Sequence, residues 1–216
     1  MRQFQPWEPS PAELERAIAQ MQGEAFTYPG PGLTAGADAS LESRIPHGYV
    51  IDRTHAQIGS GAADWERARA ALADWAMFDL GWTALWPRVP PAVGTQVGVL
   101  ACTLGAWSFN VSRILYVVDE STEARERYGF AYGTVPHHVE RGEELFTVEW
   151  RHADDSVWYV VTAVSRPLHW LARLAHGYAR RTQRRFAAEA VRHMRKVVQG
   201  GELPPGNGVQ QAKQGV

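Results

Sequence analysis

Five segments between residues 95 and 165 alternate apolar with polar or small side chains, with the period of two that is typical of β-strands. Short turns join these segments, which predicts an antiparallel meander. The five predicted strands cover residues 95–104, 107–118, 128–134, 144–151 and 156–165, and a further strand is predicted at 49–58. A sheet of this size must bury one face, and a helix of about thirty residues that begins at Pro167 is the obvious covering layer. The sequence therefore predicts an α+β fold in which a curved antiparallel β-sheet packs against a long C-terminal α-helix.

Two shorter helices precede the five-strand meander, and the second of them follows the strand at 49–58. The first spans Ser10–Gln22, where Ser10 can cap the helix and Pro11 suits its first turn. The second spans residues 62–78 and carries one apolar stripe. These features divide the chain into an N-terminal helical arm at residues 1–25, a single domain at 26–198, and a Gly-, Pro- and Gln-rich tail at 199–216 that we expect to be disordered.

The formal charge of −1 conceals a basic segment near the C-terminus. Residues 168–198 hold eight Arg or Lys and the single acid Glu189, which leaves the rest of the chain at −8. The cationic side of this helix could face anionic lipid, or it could simply be the solvated side of an amphipathic helix. No nucleic-acid reader motif accompanies the charge, so we expect no nucleic-acid partner.

Cysteine content and the N-terminal sequence indicate a cytoplasmic protein. The lone Cys102 cannot form an internal disulfide, and its strand context predicts a buried, inert thiol. The first residues lack the pattern of a signal peptide, and no apolar run approaches the roughly 20 residues that span a bilayer. No GxGxxG or Walker sequence is present, which argues against nucleotide chemistry and predicts no cofactor of that kind.

The segment 128–134 has one aromatic face and one nearly bare face. Tyr128, Phe130 and Tyr132 share the first face, whereas Gly129, Ala131 and Gly133 share the second. Something bulky should lie against the bare face, either a packed helix or a ligand in an apolar cavity. We expect an apolar cavity there, between the sheet and the long helix.

Several longer segments resemble the uncharacterised protein family 0548, a domain of unknown function. They are FTYPGPG, PHGYVIDRTHAQIGSG, RILYVVDE, YGFAYGTVPHHVERGEELF and VWYVVTAVSRPLHWLARL, and the resemblance covers about Phe26 to Val198. The chain departs from the family pattern at His137, where a glycine is expected. The order of elements also resembles the helix-grip architecture of START and Bet v 1-like proteins, which implies an apolar ligand between sheet and helix. Neither resemblance implies an established activity.

The function predicted from these features is the binding of a hydrophobic or amphipathic small molecule, such as a lipid. The aromatic residues that we expect to wall the cavity are Trp107, Phe109, Tyr132, Trp158 and Trp170. Asn110 and Arg113 interrupt apolar strands and are the expected polar anchors, since pockets use a few polar groups to orient a ligand. A structural alternative for Arg113 is an ion pair with Glu149 inside the sheet.

The turn after residue 134 holds the candidate catalytic side chains His138, Glu140 and Glu143, beside His137 and Glu144. One interpretation is a solvated hairpin in which Glu143 binds backbone N–H groups of the turn. Another places His138 and Glu143 at the mouth of the cavity. In an enzyme, His138 would be the general acid/base, oriented by Glu140 or Glu143. We expect no metal site, because side chains on one short turn do not easily converge on a tetrahedral ion.

Overall fold

The computed structural model describes residues 4–36, 41–136, 138–167 and 176–200. Its helices are α1 (Pro11–Gln20), α2 (Leu41–Arg44), α3 (Gly61–Ala73) and α4 (His176–Val198), with a short 3₁₀ turn at Ala76–Phe78. Its strands are β1 (Phe4–Gln5), β2 (Val50–Ser60), β3 (Thr83–Trp86), β4 (Gln96–Thr103), β5 (Ala106–Ser121), β6 (Arg125–Thr134), β7 (Glu140–Arg151) and β8 (Ser156–Pro167).

All eight strands belong to one antiparallel sheet. Strands β3 to β8 form a meander in chain order, and β2 adds to its far edge beside β8. Strand β1 pairs separately with β5. The α+β prediction of a curved antiparallel sheet with a long C-terminal helix is confirmed, and the arrangement is a helix grip.

The main core lies between one face of the sheet, here called the inner face, and helices α3 and α4. Phe130, Phe146 and Tyr159 project from the inner face, and the ring of Trp75 lies 4.3 Å from that of Phe130. The apolar stripe predicted for α4 is buried at Ala190, Met194 and Val197, as helical spacing requires. The first part of the predicted helix, residues 168–175, lies outside the described residues.

The opposite, outer face of the sheet is covered by the N-terminal part of the chain. Helix α1 packs Leu14 against Leu100 and Phe109, and the segment around Tyr28 crosses β6. A Cβ atom on Gly133 would lie 2.2 Å from the Tyr28 hydroxyl, so only glycine permits this approach. The prediction of a cavity on the glycine face is therefore wrong. That face turns away from α4, and its close neighbours are the N-terminal segment at Gly133 and Thr147 of β7 at Gly129.

No helix among the described residues combines the length and apolarity needed to cross a membrane. Of the predicted tail at 199–216, everything beyond residue 200 lies outside the described part of the chain.

Candidate ligand-binding site

A pocket of about 480 Å³ opens between the inner face of the sheet and the first half of α4. Part of its lining is apolar and comes from the edge of the main core, with Phe78, Val99, Val161 and Phe186 among its members. The rest is polar. Its polar members include Asp52, Asn110, Tyr132, His138, Glu140 and Glu144. Small-molecule sites combine these two kinds of surface at this range of volume, about 300–1,000 Å³.

Glu144 and Tyr132 form a hydrogen-bonded pair across two strands. The register places them directly opposite each other on β7 and β6, and the Tyr132 hydroxyl donates to the Glu144 carboxylate at 2.9 Å. Burial raises the pKa of Glu144 to about 7, and the negative charges of Glu140 and Asp52 add to this rise, while the Tyr132 hydrogen bond opposes it. Glu144 is therefore poised to hold or release a proton near neutral pH.

His138 is held at the start of β7 by backbone contacts. Its Nδ1 lies 3.0 Å from the Glu140 amide nitrogen, whose N–H donates to the ring. Nε2 is then the ring nitrogen left for the pocket. Burial lowers the pKa of His138 to about 4, so the ring is neutral at neutral pH.

Two further hydrogen bonds fix the turn that carries His138. The Asn110 side-chain oxygen accepts the Val139 N–H at 3.2 Å, which ties the turn to β5. The Gln183 side chain donates to the Glu140 carboxylate, which ties the turn to α4. The turn is thus part of the pocket wall and not a solvated hairpin.

Tyr159 contributes a hydroxyl that has no hydrogen-bond partner among the described residues. The side chain is fully buried on β8 and lines the pocket. Burial and the nearby Glu144 carboxylate raise the pKa of Tyr159 well above its usual value. A buried hydroxyl without a partner is unfavourable by about 1–3 kcal/mol, and a ligand could relieve this.

Of the ligand-binding residues predicted from sequence, Asn110 and Tyr132 line the pocket. Trp107 and Phe109 do not, because strand alternation turns them to the outer face, where they pack near α1. Arg113 also lies on that side, donating to the Glu24 carbonyl at 3.0 Å with its guanidinium over the Phe26 ring.

The remaining predictions concern Trp158, Trp170 and the Arg113–Glu149 ion pair. Trp158 stacks on His55 with ring centroids 4.3 Å apart, away from the pocket. Trp170 lies outside the described residues. The Arg113–Glu149 pair does not form, since Glu149 bonds to Arg127 at 3.1 Å and lies near Arg151.

The catalytic candidates divide between the two faces. His138 and Glu140 line the pocket, but Glu143 points to the outer face. There it accepts hydrogen bonds from Tyr28 Oη at 2.9 Å and from the backbone N–H groups of Gly32, Leu33 and Thr34 at 2.8, 3.1 and 2.9 Å. The Thr34 hydroxyl also donates to it. The prediction that Glu143 orients His138 or guards the cavity mouth is therefore wrong. Glu143 does bind backbone N–H groups, but those of a distant loop.

No group of three His, Cys, Asp or Glu side chains in the described ranges is placed to hold a metal ion. His137 lies outside those ranges.

The sequence-based prediction overlooked Glu144 and Tyr159 as pocket residues. Both adjoin residues that were chosen, Glu143 and Trp158, and a shift of one position along a strand changes the face. Tyr132, which was predicted as a pocket residue, lines this pocket, and Glu144 pairs directly with it across the strands. The register of β6 and β7 is the signal that could have identified Glu144.

A family model described as "Domain of unknown function (DUF1990)" matches residues 27–193. Among curated relatives, a UPF0548 protein of Dictyostelium discoideum is 31% identical over 201 residues, covering 88% of this chain and 93% of the relative. A UPF0548 protein of Deinococcus radiodurans is 34% identical over 197 residues, covering 85% and 93%.

Solved structures with a similar fold share little sequence with the chain. The major latex-like protein 151 of Panax ginseng has a TM-score of 0.40 and 12% identity, covering 68% of this chain and 96% of its own. A putative uncharacterized protein from Rhizobium leguminosarum has a TM-score of 0.41 and 11% identity, covering 70% and 95%.

Proposed function

The chain belongs to the DUF1990 family, whose function is unknown, and from that premise we propose that it binds an amphipathic small molecule in the pocket between the sheet and α4. A hydrophobic body, including that of a lipid, would lie against Phe78, Val161 and Phe186. Its polar group would reach Glu144 and Tyr159. The observation that carries the proposal is the Tyr159 hydroxyl, which has no hydrogen-bond partner among the described residues and lies in the wall of a pocket large enough for a ligand.

Uptake of an uncharged lipophilic dye, Nile red, tests this proposal. Ala163 lines the pocket from β8, so Ala163→Trp should fill part of the space and abolish the dye's fluorescence gain. Val117→Trp is the matched control, because Val117 is exposed on β5 and lies outside the pocket lining. Equal uptake by wild type and a folded Ala163→Trp variant would overturn the proposal.

A second candidate function is acid–base catalysis on the bound molecule. Glu144 favours it, because a general acid/base works best when its pKa lies near the operating pH. His138 is less suited to this role, since a ring with a pKa of about 4 is a weak base. If the protein is such an enzyme, adding it to a cell extract should change the concentration of a metabolite, and mass spectrometry would detect that change. Glu144→Gln should abolish that change, and His138→Gln should reduce it less.

A further inference from the structure

We infer that the pocket selects organic cations, namely molecules with an apolar body and a protonated amine, and that Glu144 is the counter-ion. This inference rests on the proposed function and names the ligand class. Glu144 makes one hydrogen bond, from Tyr132, and forms no ion pair with any described residue. Its second carboxylate oxygen is available to a ligand.

The charges around Glu144 favour a cation over an anion. Asp52 from β2 and Glu140 from β7 line the same pocket and are close enough to act on Glu144 electrostatically. The lining also contains two arginines, Arg53, which bonds to Glu42 at 2.6 Å, and Arg184, an exposed residue of α4, so its acids outnumber its arginines by three to two. A carboxylate ligand would therefore meet like charge, whereas an ammonium group would be attracted.

Tyr159 supplies the second, independent element of the site. Its hydroxyl oxygen can accept a hydrogen bond, and an ammonium group carries three donors and no acceptor. One donor can bond to Glu144 and another to the Tyr159 oxygen, which would give the buried hydroxyl a hydrogen-bond partner. A neutral alcohol can make similar contacts, but without the strength of a charge-assisted bond.

Aromatic rings in the lining suit the same ligand. Phe78 and Phe186 lie with ring centroids 5.3 Å apart and offer an apolar surface to the body of the molecule. Trp82 already carries a cation on one side, because the Arg185 guanidinium lies 4.5 Å from its ring centroid. Rings of this kind attract cations through their negative faces.

Isothermal titration calorimetry with decylamine, decanol and decanoate, three ligands of equal chain length, tests the inference. Decylamine should bind the full-length chain at least about tenfold more tightly than decanol near pH 8, and decanoate should bind more weakly than decanol. Glu144→Gln should remove the preference for the amine. Glu123→Gln makes the same charge change on an exposed hairpin and should preserve it. Tyr159→Phe should weaken amine binding by a smaller factor.

Proton release gives a readout that is specific to Glu144. In the described part of the chain, the titratable or charged groups that line the pocket with Glu144 are Asp52, Arg53, Tyr132, His138, Glu140, Tyr159 and Arg184. Because an ammonium ligand stabilises the ionised carboxylate, amine binding slightly below neutral pH should release up to one proton, detected by titration in buffers of different ionisation enthalpy. Decanol binding should release none, and Glu144→Gln should abolish the release.

The outcomes separate this inference from the proposed function. Nile red uptake with equal amine and alcohol affinities would overturn the amine inference and leave the proposed function standing. Absence of both dye uptake and ligand binding would overturn both. An amine preference that persists in Glu144→Gln and Tyr159→Phe would contradict the assignment of Glu144 as counter-ion.

Discussion

Glu143 and Glu144 are neighbours in sequence with opposite environments. The Glu143 carboxylate receives hydrogen bonds from two hydroxyls and three backbone N–H groups of the segment that covers the outer face. The Glu144 carboxylate receives one, from Tyr132, and otherwise faces the pocket. A carboxylate whose bonding is completed within the protein stabilises the fold, and one whose bonding is incomplete is available for a ligand.

Replacing Glu144 by Gln should change how stability depends on pH. The folded state raises the pKa of Glu144 from 4.5 to about 7. Relative to Glu144→Gln, the free energy of unfolding of the wild type is therefore largest below pH 4.5 and falls as the pH rises through about 7. Between about pH 4.5 and 8, the wild type should lose on the order of 2–3 kcal/mol relative to Glu144→Gln. Urea unfolding at several pH values measures this difference. His138 titrates in both proteins and cancels from the comparison, so a difference that stays constant with pH would contradict the prediction.

Glu143→Gln should destabilise the protein. The amide NH₂ group would face backbone N–H groups whose hydrogen bonds the carboxylate now accepts. These buried donors would then be unsatisfied. We expect a loss of about 3 kcal/mol in the free energy of unfolding. Faster hydrogen exchange at Gly32, Leu33 and Thr34 should accompany it, because their N–H groups lose their acceptor. Glu123→Gln is the control, and similar losses from both variants would refute the role assigned to Glu143.

At the scale of elements, α4 has one face in the core and one in solvent. Met194 is fully buried against the sheet and α3, so Met194→Ala should destabilise by about 2–5 kcal/mol. Lys196 is exposed on the same helix, and Lys196→Ala should change stability by less than about 0.5 kcal/mol. Thermal or urea unfolding of the two variants provides the measurement. Comparable effects would mean that the helix presents different faces from those described.

Periodicity identified most elements because alternation and helical spacing are local properties of the chain. The strand predicted at 156–165 is Ser156–Pro167, and the apolar stripe of the 62–78 helix is buried on α3 at Trp65, Ala68 and Leu72. Two strands were missed. Phe4–Gln5 and Thr83–Trp86 are too short to show a period, and pairing with β5 and β4 makes them strands.

The face that a strand turns to the helices could not be read from alternation alone. Alternation separates Phe109 from Asn110 and Trp158 from Tyr159, but both faces of these strands carry large apolar side chains. The N-terminal segment decides between them, because Tyr28 and Leu14 cover the outer face. Those contacts join residues far apart in sequence, so alternation alone could not show that Asn110 and Tyr132 line the pocket whereas Phe109 and Trp158 do not.

At the scale of the whole molecule, charge is distributed unevenly. Four basic residues of α4 recur at intervals of four, seven and four, which places them within one narrow stripe of the helix surface. They are Arg181, Arg185, Arg192 and Lys196, all exposed. Glu189 contacts Arg185 at 2.9 Å and Arg192 at 3.8 Å and offsets part of this charge. The stripe lies on the side of α4 that does not enter the core.

This stripe should give a weak, salt-sensitive association with anionic membranes. Each basic side chain near such a surface contributes about 1 kcal/mol, and partial neutralisation by Glu189 keeps the total small. We expect co-sedimentation with phosphatidylserine-containing vesicles at about 20 mM salt and its loss at about 0.5 M, where screening is nearly complete. Arg192→Gln with Lys196→Gln should abolish it. Arg16→Gln with Arg125→Gln changes the net charge equally at exposed sites on other elements and should leave it intact. Equal reduction by both pairs would show that net charge, and not the α4 stripe, drives the association, and equal binding to zwitterionic vesicles would exclude an electrostatic origin.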